Sequence, residues 1–265
     1  MSIRKAAVMG QFYPSSSDEI EKAFEYYNEI VDKNLEDKEI LKICPRAVIV
    51  PHAGYIYSAF TANIAFRVLK NSNPKRVVVI GPSHRVFVRG ASVAMYDSYF
   101  TPFGNLQIDT ELSKEIKEKF SLVFKQDAHN EHSTEVQMPF LKYYMSDVKV
   151  VEIVYGELEP QHLAKIIEFI LQDKENAVVI SSDLSHYYDI QKANRLDGIC
   201  LDAIANLDIQ KLHSGCEACG IIGIEGAIIT AKELSLKPIL LDYRTSADAS
   251  GDKSAVVGYM SAALV

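Results

Sequence analysis

The apolar residues of this chain fall into short continuous runs separated by amphipathic stretches. Continuous β-branched runs bounded by Gly, Pro and Ser are typical of strands buried on both faces, as in a parallel sheet covered by helices. We therefore predict buried strands at residues 47–51, 76–81, 148–154 and 177–181.

Between these runs the apolar residues recur at helical spacing. The first such stretch begins with a Ser16-x-x-Glu19 capping box and continues with Ile20, Phe24 and Val31 on one face. Further helices are predicted at residues 58–70, 110–119, 134–145, 160–172, 190–206 and 219–233. Further strands are predicted at 121–124, 238–243 and 255–262, with a hairpin or edge strands within 91–108.

The alternation of strands and helices predicts an α/β protein. We expect a three-layer α/β/α sandwich around a mixed, largely parallel central sheet. No repeat or Gly/Ser linker interrupts the pattern, so residues 1–265 are predicted to form a single domain. The polar segment 244–253 is predicted to be an exposed loop, with a lid as the alternative.

Composition and charge exclude two classes of partner. Hydrophobic residues make up 48% of the chain and charged residues 24%, which is typical of a globular protein with a full core. A net charge of −7 without a basic patch argues against nucleic acid, and no apolar run approaches the ~20 residues that span a bilayer. Because the N-terminus lacks a signal-peptide core, we predict a cytoplasmic protein without membrane contacts.

Three of the buried runs end in small residues followed by a histidine. His52 follows the first, His84 the second, and Asp183 and His186 follow the run at 177–181. The carboxyl ends of parallel strands lie at one edge of a sheet, where ligand-binding groups gather. Because neutral imidazole is the commonest protein ligand of transition metals, the sequence predicts a metal site at this edge.

The stretch AHNEHSTE adds histidines and a carboxylate at spacings of three. His129, His132 and Glu135 would share one helix face if the helix began early. Glu135 could then orient His132 in a proton relay, or act with Asp183 as a carboxylate candidate for the metal. The alternative is a helix start capped by Ser133 with solvated charges. We favour a functional role for His132 and a structural one for His129.

The cysteines are too few to form a disulfide framework, and most are expected to be reduced: Cys44, Cys200, Cys216 and Cys219. The C-x-x-C at 216–219 lacks the preceding strand of a redox motif, and no second pair exists for a structural zinc. We therefore predict one thiolate near the histidines, its pKa lowered by a helix N-terminus.

The ordered motifs MGQFYP, PHAGYIYSA, GPSHR, NEHSTEVQMPF, SSDLSH and ACGIIG resemble the MEMO1 family over essentially the whole chain. That family is similar to the catalytic subunits of class III extradiol dioxygenases, which are non-haem iron proteins. The resemblance implies a dioxygenase-like fold with metal ligands at His52, His84 and Cys219. It also implies that three further residues surround the same pocket as catalytic groups: His132, Asp183 and His186.

The resemblance leads to two functional readings. In the first, iron(II), with copper or zinc as alternatives, supports redox chemistry while His132 or His186 moves protons and Asp183 orients the ring. A cysteine in place of the carboxylate ligand of the dioxygenases favours softer metals, and Cys216 could pair with Cys219 on oxidation.

In the second reading, the protein is a non-catalytic metal-binding or partner-binding module. A pocket without metal, its histidines satisfied by hydrogen bonds, is the simplest alternative. The expected pocket ligand is a small molecule or a peptide, and a homo-oligomer is compatible with the sequence.

Overall fold

A mixed β-sheet runs through the centre of the molecule. The computed structural model describes residues 2–265. The strands are β1 (Ile3–Arg4), β2 (Ala47–Val50), β3 (Arg76–Pro82), β4 (Ala91–Val93), β5 (Ser98–Tyr99), β6 (Leu106–Gln107), β7 (Lys149–Tyr155), β8 (Asn176–Ser181), β9 (His186–Tyr188), β10 (Pro238–Thr245) and β11 (Val256–Leu264).

The helices lie between these strands along the chain. They are α1 (Ser17–Asn34), α2 (Tyr55–Leu69), α3 (Thr110–Lys119), α4 (His132–Glu135), α5 (Met138–Tyr144), α6 (Pro160–Gln172), α7 (Ile190–Ala205), α8 (Ile209–Leu212), α9 (Ile221–Glu233) and α10 (Ala247–Ser250). Within residues 2–265 no helix has the length and apolarity needed to cross a bilayer.

The strand order of the main sheet is β10-β11-β2-β8-β3-β7-β4, with β9 paired to β11. The four middle strands, β2, β8, β3 and β7, pair in parallel. The pairings on either side of them are antiparallel. The predicted α/β class and the mixed sheet with a parallel centre are therefore confirmed.

The two faces of the sheet are covered by different helices. Because successive side chains of a strand point to opposite faces, Val48 and Val79 pack in one core with residues of α1, α2 and α5. Ile49 and Val78 pack in a second core with residues of α6, α7 and α9. These two cores give the three layers predicted from the sequence.

Most predicted elements are present, and the helix after residue 16 forms for the predicted reason. The Ser16 hydroxyl accepts a hydrogen bond from the N–H of Glu19, and Ile20, Phe24 and Val31 are buried. The predicted helix 134–145 is instead divided into α4 and α5. Pro139, which has no N–H to donate, stands in the first turn of α5 and restarts the helix there.

Other differences lie at the edges of the sheet. The predicted strand 121–124 is reduced to a single bridge between Val123 and Ser92. Within 91–108, β5 and β6 form an antiparallel pair, whereas β4 joins the main sheet beside β7. The sequence did not predict β9 or the parallel pairing of β1 with β5. The segment 244–253 contains the end of β10 and the short helix α10.

The pairing of the cysteines differs from the predicted pair of Cys216 with Cys219. Cys216 forms a disulfide with Cys200 of α7 and not with Cys219, because α7 and the loop before α9 bring the Cα atoms of the pair within 4.9 Å. Cys44 and Cys219 are free. The bond ties α7 to the loop that ends at Cys219.

We predict that the double variant Cys200→Ser/Cys216→Ser unfolds more easily than the wild type. Opening a loop with a sequence separation of 16 residues restores entropy to the unfolded chain, which lowers the free energy of unfolding by about 3 kcal/mol. Urea denaturation in non-reducing buffer measures the loss. Cys44→Ser, which removes an exposed free thiol, is the control, and an unchanged midpoint in the double variant would contradict the role of the bond.

Candidate functional site

Three neighbouring parallel strands end beside one another at the same edge of the sheet. β2, β8 and β3 end at Val50, Ser181 and Pro82. In each case the residue two positions further on is chemically reactive: His52, Asp183 and His84 respectively. The convergence expected at the carboxyl ends of adjacent parallel strands is therefore seen.

A third imidazole comes from α4. The ring centroids of His52, His84 and His132 lie 4.6 to 5.3 Å apart. One ring nitrogen of each histidine lies within 4.8 Å of those of the other two. The Sγ atom of Cys219 lies 3.3 Å from Nε2 of His52. The structure thus groups the predicted ligands His52 and His84 with His132, and it places the third predicted ligand, Cys219, beside His52.

The short helix α4 is held against the strand ends by Ser133. Its hydroxyl donates to the carbonyl of Pro82 over 2.7 Å, and its own carbonyl accepts from the hydroxyl of Ser181. A Cβ atom on Gly81 would lie 2.6 Å from Oγ of Ser133. Glycine is therefore required at position 81, because any side chain would push His132 away from the strands.

The hydroxyl of Ser181 determines which nitrogen of His52 is protonated. Nδ1 of His52 lies 2.9 Å from Oγ of Ser181. The single proton of that hydroxyl is donated to the carbonyl of Ser133, so Nδ1 must be the donor. Nε2 of His52 then carries the free lone pair, directed toward Cys219. Metal-binding histidines are commonly oriented by such a bond at the second nitrogen.

Glu131 links the other two imidazoles, and the sequence analysis missed it. The buried carboxylate accepts from the backbone N–H groups of His84 and His132 over 2.7 and 2.8 Å. Nδ1 of His84 is 3.3 Å away. Nδ1 of His132 lies 2.8 Å from Oε1, at an angle that leaves this nitrogen without a hydrogen bond. His132 is therefore less firmly oriented than His52.

The charge of Glu131 is stabilised by these neighbours. Burial opposes its ionisation, but the contacts from His132 and His84 outweigh burial and hold the pKa of Glu131 well below its usual range. A carboxylate at the N-cap of α4 is also favoured by the helix dipole. The sequence signal that could have identified Glu131 is its position directly before His132.

Glu135 has a different role from the predicted one. It points away from His132 and forms a buried ion pair with Arg4. It also accepts from the N–H groups of Ala7 and Val8 and from the hydroxyl of Tyr13. Glu135 is thus neither a metal candidate nor the group that orients His132. It fastens the N-terminal segment 4–13 to the fold.

That segment reaches the histidine cluster through Phe12. The Phe12 ring lies 4.8 Å from the ring of His132, and the Phe12 carbonyl accepts from the N–H of Tyr55 at the start of α2. The N-terminal segment therefore supplies one wall of the site.

Asp183 holds the turn that carries His52. Its carboxylate accepts from the N–H of His52 over 2.7 Å and from the N–H of Ala53. Within residues 2–265 its hydrogen bonds do not include an imidazole, so the prediction that Asp183 orients His132 or His186 is wrong. Burial raises the pKa of Asp183 to about 7.

Cys219 and Asp183 are joined by two hydrogen bonds, one between their backbones and one from the Asp183 backbone to the Cys219 sulfur. The N–H of Cys219 donates to the carbonyl of Asp183, and the N–H of Asp183 donates to Sγ. Burial, followed by the nearby Asp183 carboxylate, raises the pKa of the Cys219 thiol to about 12. The predicted lowering by a helix N-terminus is thus outweighed by burial, and the thiol is neutral without a cation beside it.

Burial also keeps His52 neutral, which is the form that binds metals. Desolvation, followed by the charges of His84 and His132, lowers the pKa of His52 well below its usual range. His186 lies on β9 and lines a cavity of about 500 Å³ beside His132 and Asp183. Burial lowers the pKa of His186 as well.

His129 lies outside this cluster. It is fully buried, with Nδ1 at 2.9 Å from Glu152 and Nε2 at 2.8 Å from Ser92. Both ring nitrogens therefore have partners, and His129 is part of the protein interior beneath the site.

The fold is an α/β sandwich, and imidazoles and a thiol lie together at the carboxyl edge of its parallel strands. This combination defines a candidate metal-binding pocket. The chain is a member of the Memo-like protein family, whose family model matches residues 4–263.

Several relatives cover the same length. A MEMO1 family protein of Aquifex aeolicus is 35% identical over 271 residues, with 98% of both chains covered. MEMO1 family proteins of Methanobrevibacter smithii and Desulfurococcus amylolyticus are each 36% identical, again with 98% of both chains covered.

We predict that Glu135→Gln destabilises the protein. The change keeps the size of the side chain but removes the carboxylate that is ion-paired directly with the buried Arg4, which lowers the free energy of unfolding by about 3 kcal/mol. Chemical denaturation monitored by circular dichroism measures this loss.

The matched control is Glu39→Gln, which breaks an exposed ion pair with Lys42 and should cost less than ~1 kcal/mol. Equal stabilities of the two variants would show that the Arg4 pair contributes no more than a surface contact.

Proposed function

We propose that this protein binds a transition metal through His52, His84 and Cys219 and uses it for redox chemistry related to that of the class III dioxygenases. The observation that carries this proposal is the meeting of His52 and His84 at the ends of β2 and β3, which flank β8, with Cys219 in contact with His52. The two imidazoles share their cluster with His132, and Cys219 adds a sulfur atom beside His52.

The donor chemistry fits a metal of intermediate softness. Imidazole nitrogen and thiolate sulfur favour iron, copper and zinc over magnesium or calcium, which prefer oxygen ligands. The bonds at Nδ1 of His52 and His84 leave Nε2 of each ring for a metal. We propose iron(II) as the metal, with copper and zinc as alternatives.

Cys219 requires a cation to become a ligand. Its thiol is neutral in the metal-free protein, and a cation beside the sulfur favours the thiolate. We assign the third position to Cys219 because its sulfur already lies beside Nε2 of His52. His132, whose Nδ1 is without a hydrogen bond, is assigned to proton movement next to the metal.

The remaining groups act around this centre. Bound iron(II) would supply one-electron chemistry toward dioxygen. His132 and His186 lie on the wall of the cavity. Each can accept a proton from a bound ligand or donate one to it. Asp183 keeps the His52 turn in place, and Glu131 holds the backbone of the His84 and His132 turns.

A specific observation favours the alternative of a non-catalytic metal-binding or partner-binding module. The two buried carboxylates of the site are both engaged with backbone N–H groups, since Asp183 binds the His52 turn and Glu131 binds the turns of His84 and His132. Neither carboxylate is available as a strong general base. In this reading the pocket binds the metal and a ligand but does not convert the ligand chemically.

We predict that His52→Ala and His84→Ala each abolish metal binding. Each change removes one of the three proposed ligands, and the apparent affinity should fall at least ~100-fold. Metal content is measured by inductively coupled plasma mass spectrometry after anaerobic iron loading. His213→Ala, which changes a half-exposed histidine paired with Glu225, is the control, and wild-type metal content in either site variant would contradict that ligand.

A second set of variants tests the third ligand. We predict that Cys219→Ser lowers the affinity for soft metals much more than Cys216→Ser, because Cys216 is bonded to Cys200. His132→Ala should retain the metal. Loss of the metal in His132→Ala would instead place His132 among the ligands, and equal losses in both cysteine variants would contradict the assignment to Cys219.

Oxygen consumption separates the redox enzyme from the binding module. Iron-loaded protein is mixed with catechols and thiols in an oxygen electrode, with metal-free protein as the control. Oxygen uptake that depends on iron and on His132 supports the enzyme, whereas metal binding without uptake supports the module.

A further inference from the structure

The cavity beside the histidines has a wall of aromatic side chains. Phe12, Tyr57, Tyr187 and Tyr259 line it together with His132 and His186. Tyr259 is buried, whereas Tyr57 and Tyr187 are 41% and 77% exposed. The aromatic wall therefore runs from the buried end of the cavity to its mouth.

Tyr57, Tyr187 and Tyr259 share the cavity with Asp183. Burial, followed by the nearby Asp183 carboxyl group, raises the pKa of Tyr259. The phenol of Tyr259 is therefore neutral, and its ring carries no charge of its own.

Tyr187 is held in an unfavourable backbone conformation. Its φ of 62° lies in the left-handed region, which is unfavourable for a residue other than glycine. The neighbours on either side are fixed by pairing with β11, where His186 is opposite Val257 and Tyr188 is opposite Val256. This pairing keeps the Tyr187 ring at the mouth of the cavity.

The charged residues that line the cavity are acidic. Asp183 and Asp252 contribute carboxyl groups, and no Lys or Arg of the described chain is among the lining residues. Hydrogen bonds from the backbone and hydroxyl of Ser254 lower the pKa of Asp252, so this exposed group is ionised. Lys253 and Arg244, which lie one and two positions along the chain from lining residues, do not themselves line the cavity.

From these features we propose that the cavity binds an organic cation, namely an amine or ammonium compound that carries a small ring or alkyl group. The face of a tyrosine ring attracts a cation, and an adjacent carboxylate adds to this attraction. In the metal-free protein, a ligand with a carboxylate or phosphate would meet acidic groups, and the cavity lining offers no Lys or Arg to compensate its charge. This proposal rests on the proposed function, because it names the ligand class of the same pocket.

Three probes with one ring and different charges test the proposal. Tyramine is a cation, p-cresol is neutral and 4-hydroxyphenylacetate is an anion. Isothermal titration calorimetry is carried out on the full chain, both metal-free and anaerobically loaded with iron(II). We expect tyramine to bind about tenfold more tightly than 4-hydroxyphenylacetate to the metal-free form, with p-cresol between them, and we expect a smaller preference in the iron-loaded form, where the metal attracts the carboxylate.

Variants separate the aromatic contribution from the acidic one. Tyr187→Ala should weaken tyramine binding several-fold, whereas Tyr187→Phe, which keeps the ring, should retain it. Asp252→Asn should weaken tyramine and leave p-cresol unchanged. Tyr26→Ala, which removes an exposed tyrosine on α1, is the control and should bind all three probes as the wild type does.

Two results would overturn the proposal. One is binding of 4-hydroxyphenylacetate to the metal-free protein as tightly as tyramine, and the other is the lack of binding of any probe to this form at millimolar concentration. Metal content is measured on the same samples. Selective tyramine binding in a protein that takes up no iron would contradict the proposed metal function alone, and iron uptake without that selectivity would contradict the ligand class alone.

Discussion

The site depends on the parallel pairing of β2, β8 and β3. The pairing runs in register from Ala47 opposite Val178 to Val50 opposite Ser181, and β3 pairs with the other side of β8. Because the three strands end at the same level, the turns that follow them are forced together. A slip of one residue would turn every side chain to the opposite face of the sheet. The two hydrophobic cores therefore maintain the register on which the positions of His52 and His84 depend.

Burial determines the chemical state of the groups that meet there. It keeps His52 neutral, raises the pKa of Asp183 toward neutrality and raises that of the Cys219 thiol. Glu131 is the exception, since its contacts with two imidazoles and backbone N–H groups outweigh its desolvation. The metal-free pocket thus combines neutral donors with one ionised carboxylate behind them, an arrangement that lowers the cost of admitting a cation.

The sequence alone predicted the parts of this arrangement that depend on periodicity and strand order. Buried β-branched runs gave the parallel strands, and the residues after them gave His52, His84 and Asp183. Glu131 was missed because its partners come from two turns that are brought together only by the tertiary fold. Glu135 was misread because spacing along a helix does not show that Arg4, from the far end of the chain, occupies its other side. The bond between Cys200 and Cys216 likewise depends on how α7 packs, which a spacing argument does not provide.

The attachment of the N-terminal segment by Glu135 has a consequence for biosynthesis. Arg4 and its partner are 131 positions apart in the chain, so the buried polar groups around Arg4 are satisfied only after Glu135 has been synthesised. Cys219 is synthesised later than Glu135. Since contacts between distant parts of a chain slow folding, the pocket forms only after these separate segments have all been translated.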